Sequence, residues 1–549
     1  MTRVLPGVYV EFHDYSTLPE GDTNLAVGYT LAAPRGPVGK AELVTSPTDF
    51  LAKYTLTGSP TIKDDKTFWS ILQVLKYTNQ VYISRIAKDV KFGGVIVKAD
   101  AVTALATGLE DPTAFDFSKN EGALCVLAGI DGGLYNNNIG VEIVSYLDKP
   151  EAIVDLFGSQ ALMKEAKPFI IRVYDCTNKN EPALLEEFMV SFKDNAKSFD
   201  GTPLYIETVL ASSAYIQCVM PIDVTVVEAP KSTTDRVMMA GGAETSLNNL
   251  TAADAVGALA VFEDKTIPIS LMGNGTGTIY ENADYQQALV SLAENRQDFL
   301  AFLNSRLMDE KATLNSAKAK AIVDYKKGAG DDGLGSTSWN ACMYAPHVNY
   351  SDVFNSRKIK LGADSTAIAG WLKVILNQGY PFAFAGPADG LVTGVTTDWK
   401  IGDTSGEATN LNDASINYVA YDAKVGRYYM QCQNTLQIAN SSLRNIGAVL
   451  NVLDIKETFM TYFKEYLQKP ITPRLREEIW NKGNDYLKNN IMGMGRCVNY
   501  TFVDATTDLD LADNTLRYVL SIALTPYAQK IKLVMNIVNA NYDFTISQG

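Results

Sequence analysis

Apolar residues alternate with polar ones at both ends of this chain. In Leu5 to Asp14, Val8, Val10 and Phe12 fall on one face and Tyr9, Glu11 and His13 on the other. In Ile531 to Phe544, Ile531, Leu533, Met535 and Ile537 share a face. A period of two is the pattern of a half-buried strand. Chain ends are ordinarily polar and frayed unless something ties them down. Two apolar terminal strands therefore predict exchange: each end completes a sheet in a neighbouring copy. Where such a contact does not close on itself, it builds rings or open helical tubes.

Between the ends the pattern changes three times. Residues 21–90 read as strand, turn, strand, helix, strand, with strands over 25–32, 43–45 and 81–86. The turn is Ala33-Pro34-Arg35-Gly36-Pro37, and Phe68, Ile71, Leu72 and Leu75 recur at helical spacing. Residues 91–239 predict short strands over 94–98, 124–128, 139–146, 169–174, 188–192, 205–209 and 215–219, the rhythm of a small barrel or sandwich. Residues 240–430 alternate helix and strand: helices over 252–263, 284–296 and 311–326 lead to strands over 267–272, 299–303 and 341–345. This is the pattern of a layered α/β domain with a largely parallel sheet. Residues 431–549 predict two long helices, over 441–468 and 473–490, followed by strands. Thr472-Pro473 supplies a hydroxyl cap and a proline at the first helical position.

The expected fold is thus multidomain α/β. An N-terminal arm (1–20) precedes a discontinuous α/β domain (21–90 and 240–430) that carries an inserted β-rich outer domain (91–239). A C-terminal α+β domain (431–549) ends in the second arm. A chain of 549 residues has room for several cores. Its 46% hydrophobic and 20% charged content is that of folded protein. A formal charge of −14 argues against sequence-independent nucleic-acid binding, which needs Lys and Arg on phosphates. No uninterrupted apolar stretch reaches a membrane span. The first residues lack a secretory pattern, so the six scattered cysteines are expected to be reduced.

Candidate chemistry is sparse. The two histidines, His13 and His347, lie far apart in sequence, and no Cys or His cluster has metal-ligand spacing. Gly328-Ala329-Gly330-Asp331-Asp332-Gly333 matches GxGxxG, but it follows a helix and carries two acids that repel pyrophosphate. Gly273-Asn274-Gly275-Thr276-Gly277 follows a predicted strand and offers an anion nest. It is the basis of an alternative reading, a nucleotide-binding α/β enzyme. Residues 456–496 hold eight basic and five acidic side chains, which marks Arg474, Arg476, Lys482 and Lys488 as a docking set for an acidic protein surface.

Several short motifs together resemble the contractile phage tail sheath family. They are Pro6-Gly7-Val8-Tyr9-Val10-Glu11, Ala32-Ala33-Pro34-Arg35-Gly36-Pro37-Val38, Val44-Thr45-Ser46-Pro47-Thr48-Asp49-Phe50 and Val81-Tyr82-Ile83-Ser84-Arg85-Ile86. Further along come Asn136-Asn137-Asn138 before Gly140, Tyr205-Ile206-Glu207-Thr208-Val209-Leu210 with Ser212-Ser213-Ala214-Tyr215-Ile216, which resemble the family's barrel strands, Ala240-Gly241-Gly242-Ala243, Leu411-Asn412 with Ile416-Asn417, and Gln433-Asn434-Thr435-Leu436. Asp513-Asn514-Thr515 and Leu524-Thr525-Pro526 follow near the end. Leu443-Arg444-Asn445-Ile446 departs from the arginine pair common in relatives. The resemblance implies a non-enzymatic structural subunit without cofactor. It would polymerise with itself around an inner tail tube, meet baseplate and tail terminator proteins, and contract to drive the tube through a cell envelope. It would reside in the virion tail after assembly in the host cytoplasm. The terminal arms would thread into neighbouring copies, and Arg474, Arg476, Lys482 and Lys488 would face the tube.

Overall fold

The computed structural model describes residues 25–527, apart from 57, 158–159, 179, 199, 222–227 and 330–331. The predicted arm residues Val8, Tyr9, Val10, Phe12, Ile531, Leu533, Met535 and Ile537 lie outside the described residues. The chain divides into two compact units between Leu453 and Asp454.

A nine-stranded sheet organises the first unit. Its order is Leu391–Val392, Arg427–Gln431, Asn417–Asp422, Ala341–Ala345, Leu300–Asn304, Leu271–Gly273, Val27–Ala32, Val81–Ile86 and Ala41–Val44. The six strands from Asn417–Asp422 to Val81–Ile86 run parallel, and antiparallel strands close both edges. Parallel strands are covered on both faces, so they read as continuous apolar runs. Leu300–Asn304 shows this. Leu300 and Phe302 pack with helices Thr67–Val74 and Asp364–Gln378, whereas Ala301 and Leu303 pack with Ala252–Leu259, Ala283–Arg296, Asn315–Lys327 and Gly406–Asp413.

Between Val81–Ile86 and Leu271–Gly273 the chain leaves this sheet and builds two four-stranded antiparallel sheets. Val95, Val97, Cys125 and Leu127 of one share a core with Val141, Ile143, Ile171 and Val173 of the other. The strand expected over 205–209 is instead a short helix, Ile206–Leu210. Ile206 and Leu210 are the buried residues of this segment, four apart, which is helical spacing. Its β-branched Ile, Thr and Val favour a strand by propensity, and burial on one helical face overrides that preference. The strand predicted over 188–192 begins earlier, at Ala183–Val190. Helices Glu151–Phe157 and Gln160–Ala166, absent from the expected strand-rich pattern, cover one side of this region.

The helix expected over 441–468 is Ile446–Lys464, preceded by a single turn at Ser442–Arg444. In the second unit, helix Pro473–Tyr486 starts where predicted, with the Thr472 hydroxyl accepting from Leu475 N at 3.1 Å. It continues into a wide turn at Leu487–Met492. Strands Cys497–Asp504 and Tyr518–Leu524 pair antiparallel. Ile455, Phe459, Tyr486, Leu487, Ile491 and Phe502 form the small core of this unit, with Tyr518 stacked on Phe502.

Candidate functional site

Several of the first unit's motifs converge on one junction. The Arg85 guanidinium, fully buried, donates from Nε to Ala33 O (2.8 Å) and from Nη1 to Gly36 O (2.9 Å) and Gly132 O (2.8 Å). Its Nη2 donates to Glu244 Oε2 at 2.5 Å. Asp131 accepts from Gly36 N at 3.1 Å. Arg35 lies over the rings of Tyr135 and Tyr215 at 4.5 and 4.7 Å. Asn136 bonds Gly93 N and Asp131 O, and Asn137 bonds both polar groups of Gly242. One buried arginine thus gathers the end of a parallel strand, the Arg35-Gly36 turn and two loops of the antiparallel sheets. Five segments distant in sequence are fixed to one another here. Each was visible alone as a motif, but nothing in the sequence signalled that they meet.

The loop Gly273-Asn274-Gly275-Thr276-Gly277 sits at the carboxyl end of Leu271–Gly273, as a phosphate loop would. Its N–H groups are already engaged. Gly275 N donates to Asp364 Oδ2 (3.1 Å), Thr276 N to Thr67 Oγ1 (3.1 Å) and Gly277 N to Glu281 Oε1 (3.1 Å). Asp364 is fully buried and also accepts from Asn304 Nδ2 at 2.9 Å. Burial pushes its carboxyl up to about 6, against these hydrogen bonds. Two carboxylates of the chain occupy the place an anionic ligand would take. Gly328, the first glycine of the other glycine-rich motif, is the left-handed terminus of helix Asn315–Lys327, with φ of 77°.

His347 lies beside this loop with both ring nitrogens taken. Nδ1 is 2.7 Å from Glu310 Oε1 and Nε2 is 2.9 Å from Glu281 Oε1. Burial pulls its pKa down, but the two carboxylates outweigh burial and raise it to about 10. It is a fixed imidazolium inside a structural cluster, with no nitrogen available to shuttle a proton. His13 lies outside the described residues. The six cysteines are unpaired, and no group of three or more His, Cys, Asp or Glu among the described residues is arranged to hold a metal. Among the described residues, no helix is long and apolar enough to cross a membrane.

The four basic residues of the second unit do not act alike. Arg476 Nε donates to Asp504 Oδ2 at 2.7 Å, and Lys482 pairs with Glu465. Arg474 and Lys488 are exposed. The buried stripe of Pro473–Tyr486 is Leu475, Ile479, Gly483 and Tyr486. At 100° per residue, Arg474 falls on the opposite face with Glu477, Glu478 and Asp485, and Lys488 lies beyond the helix in the wide turn Leu487–Met492. That face carries mixed charge.

The two-stranded sheet of the second unit has unusual edges. Among the described residues, Cys497–Asp504 and Tyr518–Leu524 pair only with each other. Val498, Val503 and Val519 are exposed on them. An open groove of about 530 Å³ runs beside Pro473, Arg476, Trp480, Phe502 and Asp504. A lone hairpin-like pair is marginal in water, and unpaired edges with apolar side chains invite a further strand.

No protein-family profile matches the chain, and no curated protein matches it in sequence. Solved structures do. The sheath tail protein of Listeria innocua superposes with a TM-score of 0.55 at 11% identity, covering 91% of this chain and 94% of that one. A chain of the anti-feeding prophage baseplate superposes at 0.52 with 10% identity, covering 97% and 99%. Over nearly its whole length, then, this chain has the fold of a tail sheath protein.

Proposed function

We propose that this chain is the structural subunit of a contractile tail sheath. Copies polymerise around an inner tube as stacked rings and contract to drive the tube through a cell envelope. The observation that carries this reading is the pair of strands Cys497–Asp504 and Tyr518–Leu524. Among the described residues they leave two free edges, and the sequence carries two alternating apolar termini suited to them. Strands lent from neighbouring copies extend the sheet by main-chain hydrogen bonds, and side-chain pockets set the register. The fold likeness supports the same reading.

In this reading the subunit moves as a rigid body, with the terminal arms as hinges. The Arg85 junction serves that rigidity, because it locks the parallel sheet to the antiparallel sheets. Contraction needs no nucleotide hydrolysis. Its free energy comes from lateral contacts that form as the lattice shortens. Arg474 and Lys488, with Arg476 and Lys482 in support, face the tube through weak exposed charge pairs that break without large cost. Baseplate and terminator proteins cap the polymer, and the particle is a tail assembled in the host cytoplasm and carried on a virion.

The test is truncation. Chains lacking residues 1–14 or 531–549 should remain folded, soluble and monomeric under conditions where the full chain assembles. Normal assembly of either truncation would refute strand exchange.

A further inference from the structure

A cavity in the first unit holds chemistry that a sheath subunit does not need. Its volume is about 390 Å³, within the range of small-molecule sites. It is built by segments that follow the parallel strands Leu300–Asn304 and Ala341–Ala345. The carboxyl ends of such strands are where open α/β sheets hold ligands. Leu307, Ala312 and Trp399 give the cavity an apolar wall.

The inner end is negative. Glu310 and His347 line it, with side chains 8% and 0% exposed. The hydrogen bonds that Glu310 accepts all fall on Oε1, from Ser305 Oγ (2.9 Å), His347 N (3.0 Å) and His347 Nδ1 (2.7 Å). Its Oε2 accepts none among the described residues. A nearly buried carboxylate oxygen without a donor is costly, so it marks a place for one. His347 does not cancel the charge, because Glu281 shares it at 2.9 Å. Asp309, next in the chain, is taken by Arg306. Three carboxylates therefore stand against two cations.

The outer end is positive. Lys311, Lys318 and Lys360 line it with a single carboxylate, Asp398, and all four are exposed or half-buried. Lys360 pairs with Asp398. Hydrogen bonds from Lys360 and Asn349 hold the Asp398 carboxyl below its ordinary value, and the charge of Lys318 adds to this. Lys311 and Lys318 make no ion pair among the described residues, and the Lys318 ammonium lies over the Trp399 ring at 5.6 Å. Two ammonium groups are in excess here.

The two ends select a ligand by sign. A phosphate or a simple carboxylate would satisfy the lysines and leave Glu310 Oε2 without a donor. A plain amine would satisfy Glu310 and meet the lysines. A small molecule with an ammonium and a carboxylate serves both ends. We propose that this cavity binds a free amino acid. The ammonium donates to Glu310 Oε2, Lys318 and Lys311 hold the carboxylate, and the side chain lies against Leu307, Ala312 and Trp399. The inference stands on the first unit alone and does not depend on self-assembly.

Thermal melts of the unassembled full chain test it, with each of the common L-amino acids added in turn at matched ionic strength. At least one should raise the melting temperature of wild type, because a ligand of the folded state alone stabilises it. The concentration dependence of that shift gives the affinity. The analogue lacking the amino group and the analogue lacking the carboxyl group should each bind at least about tenfold more weakly. Lys318→Gln and Glu310→Gln should lose most of the shift, each variant being read with and without the amino acid so that its own stability cancels. No shift of wild type with any amino acid overturns the site. A deaminated or decarboxylated analogue that binds as tightly as its parent overturns the amino-acid assignment. An equal shift in wild type and the variants puts the ligand elsewhere and overturns the cavity. Glu310→Gln also disturbs His347, so if that variant fails to fold, Lys318→Gln decides alone: a full shift in it overturns the proposal.

Discussion

Arg85 and Glu244 meet at 2.5 Å, 159 positions apart in the chain, with neither side chain more than 8% exposed. Arg85 also satisfies three carbonyls. Removing it would leave the Glu244 carboxylate without its cation, held only by Leu134 N, and three buried carbonyls without this donor. Arg85→Ala should therefore destabilise the first unit by about 3–5 kcal/mol. Glu244→Gln, which keeps a hydrogen-bond acceptor, should cost roughly 1–3 kcal/mol. Urea unfolding followed by fluorescence checks both, and equal small effects would contradict the junction's role.

The His347 cluster makes a pH prediction. Its pKa of about 10 in the folded chain exceeds the ordinary 6.5. The protonated imidazole therefore contributes stability in full below about pH 6.5, and that contribution is lost as pH rises through 10. Glu281 is held below its ordinary value: burial opposes this, but His347 and two backbone N–H groups prevail. Its contribution is present above the ordinary value of 4.5 and fades as pH falls through the lowered pKa. Wild type should thus lose stability relative to His347→Gln between pH 6.5 and 10. Melting curves of both proteins across that range check it. Parallel curves would mean that the imidazole is neutral in the folded chain.

Nucleotides should leave the melting temperature unchanged. A ligand that binds only the folded state raises stability, but the Gly275, Thr276 and Gly277 N–H groups already serve Asp364, Thr67 and Glu281. A clear upward shift with ATP, GTP or a dinucleotide would revive the enzyme reading.

Charge reversal separates the four basic residues. Arg474→Glu and Lys488→Glu should leave the monomer's melting temperature unchanged and weaken co-sedimentation with the tube protein by up to about 1 kcal/mol each. Arg476→Glu sets two carboxylates together at Asp504 and should lower the melting temperature. Tube binding that ignores Arg474 and Lys488 would place the contact elsewhere.

Much of the fold was legible because its signals are local. Thr472-Pro473 marked a helix start that the Thr472 hydroxyl does cap, and the apolar run at Ala341–Ala345 is a strand with those same ends. Segments whose character is decided by packing were harder. Ile206–Leu210 has strand-forming residues but helical burial, and Asp364–Gln378 escaped because its buried residues almost surround the helix. The site was less legible still. Arg474, Arg476, Lys482 and Lys488 look equivalent in sequence, yet partners at Asp504 and Glu465 set two of them apart. No periodicity marks Arg85 as a hub or Lys326 as buried, because both depend on contacts between distant segments.

The most direct measurement is negative-stain microscopy of the full chain expressed alone, beside the chain lacking residues 531–549. The account predicts striated hollow tubes or stacked rings for the full chain and only small single particles for the truncation. Discrete small particles from the full chain, with or without its tube protein present, would contradict it.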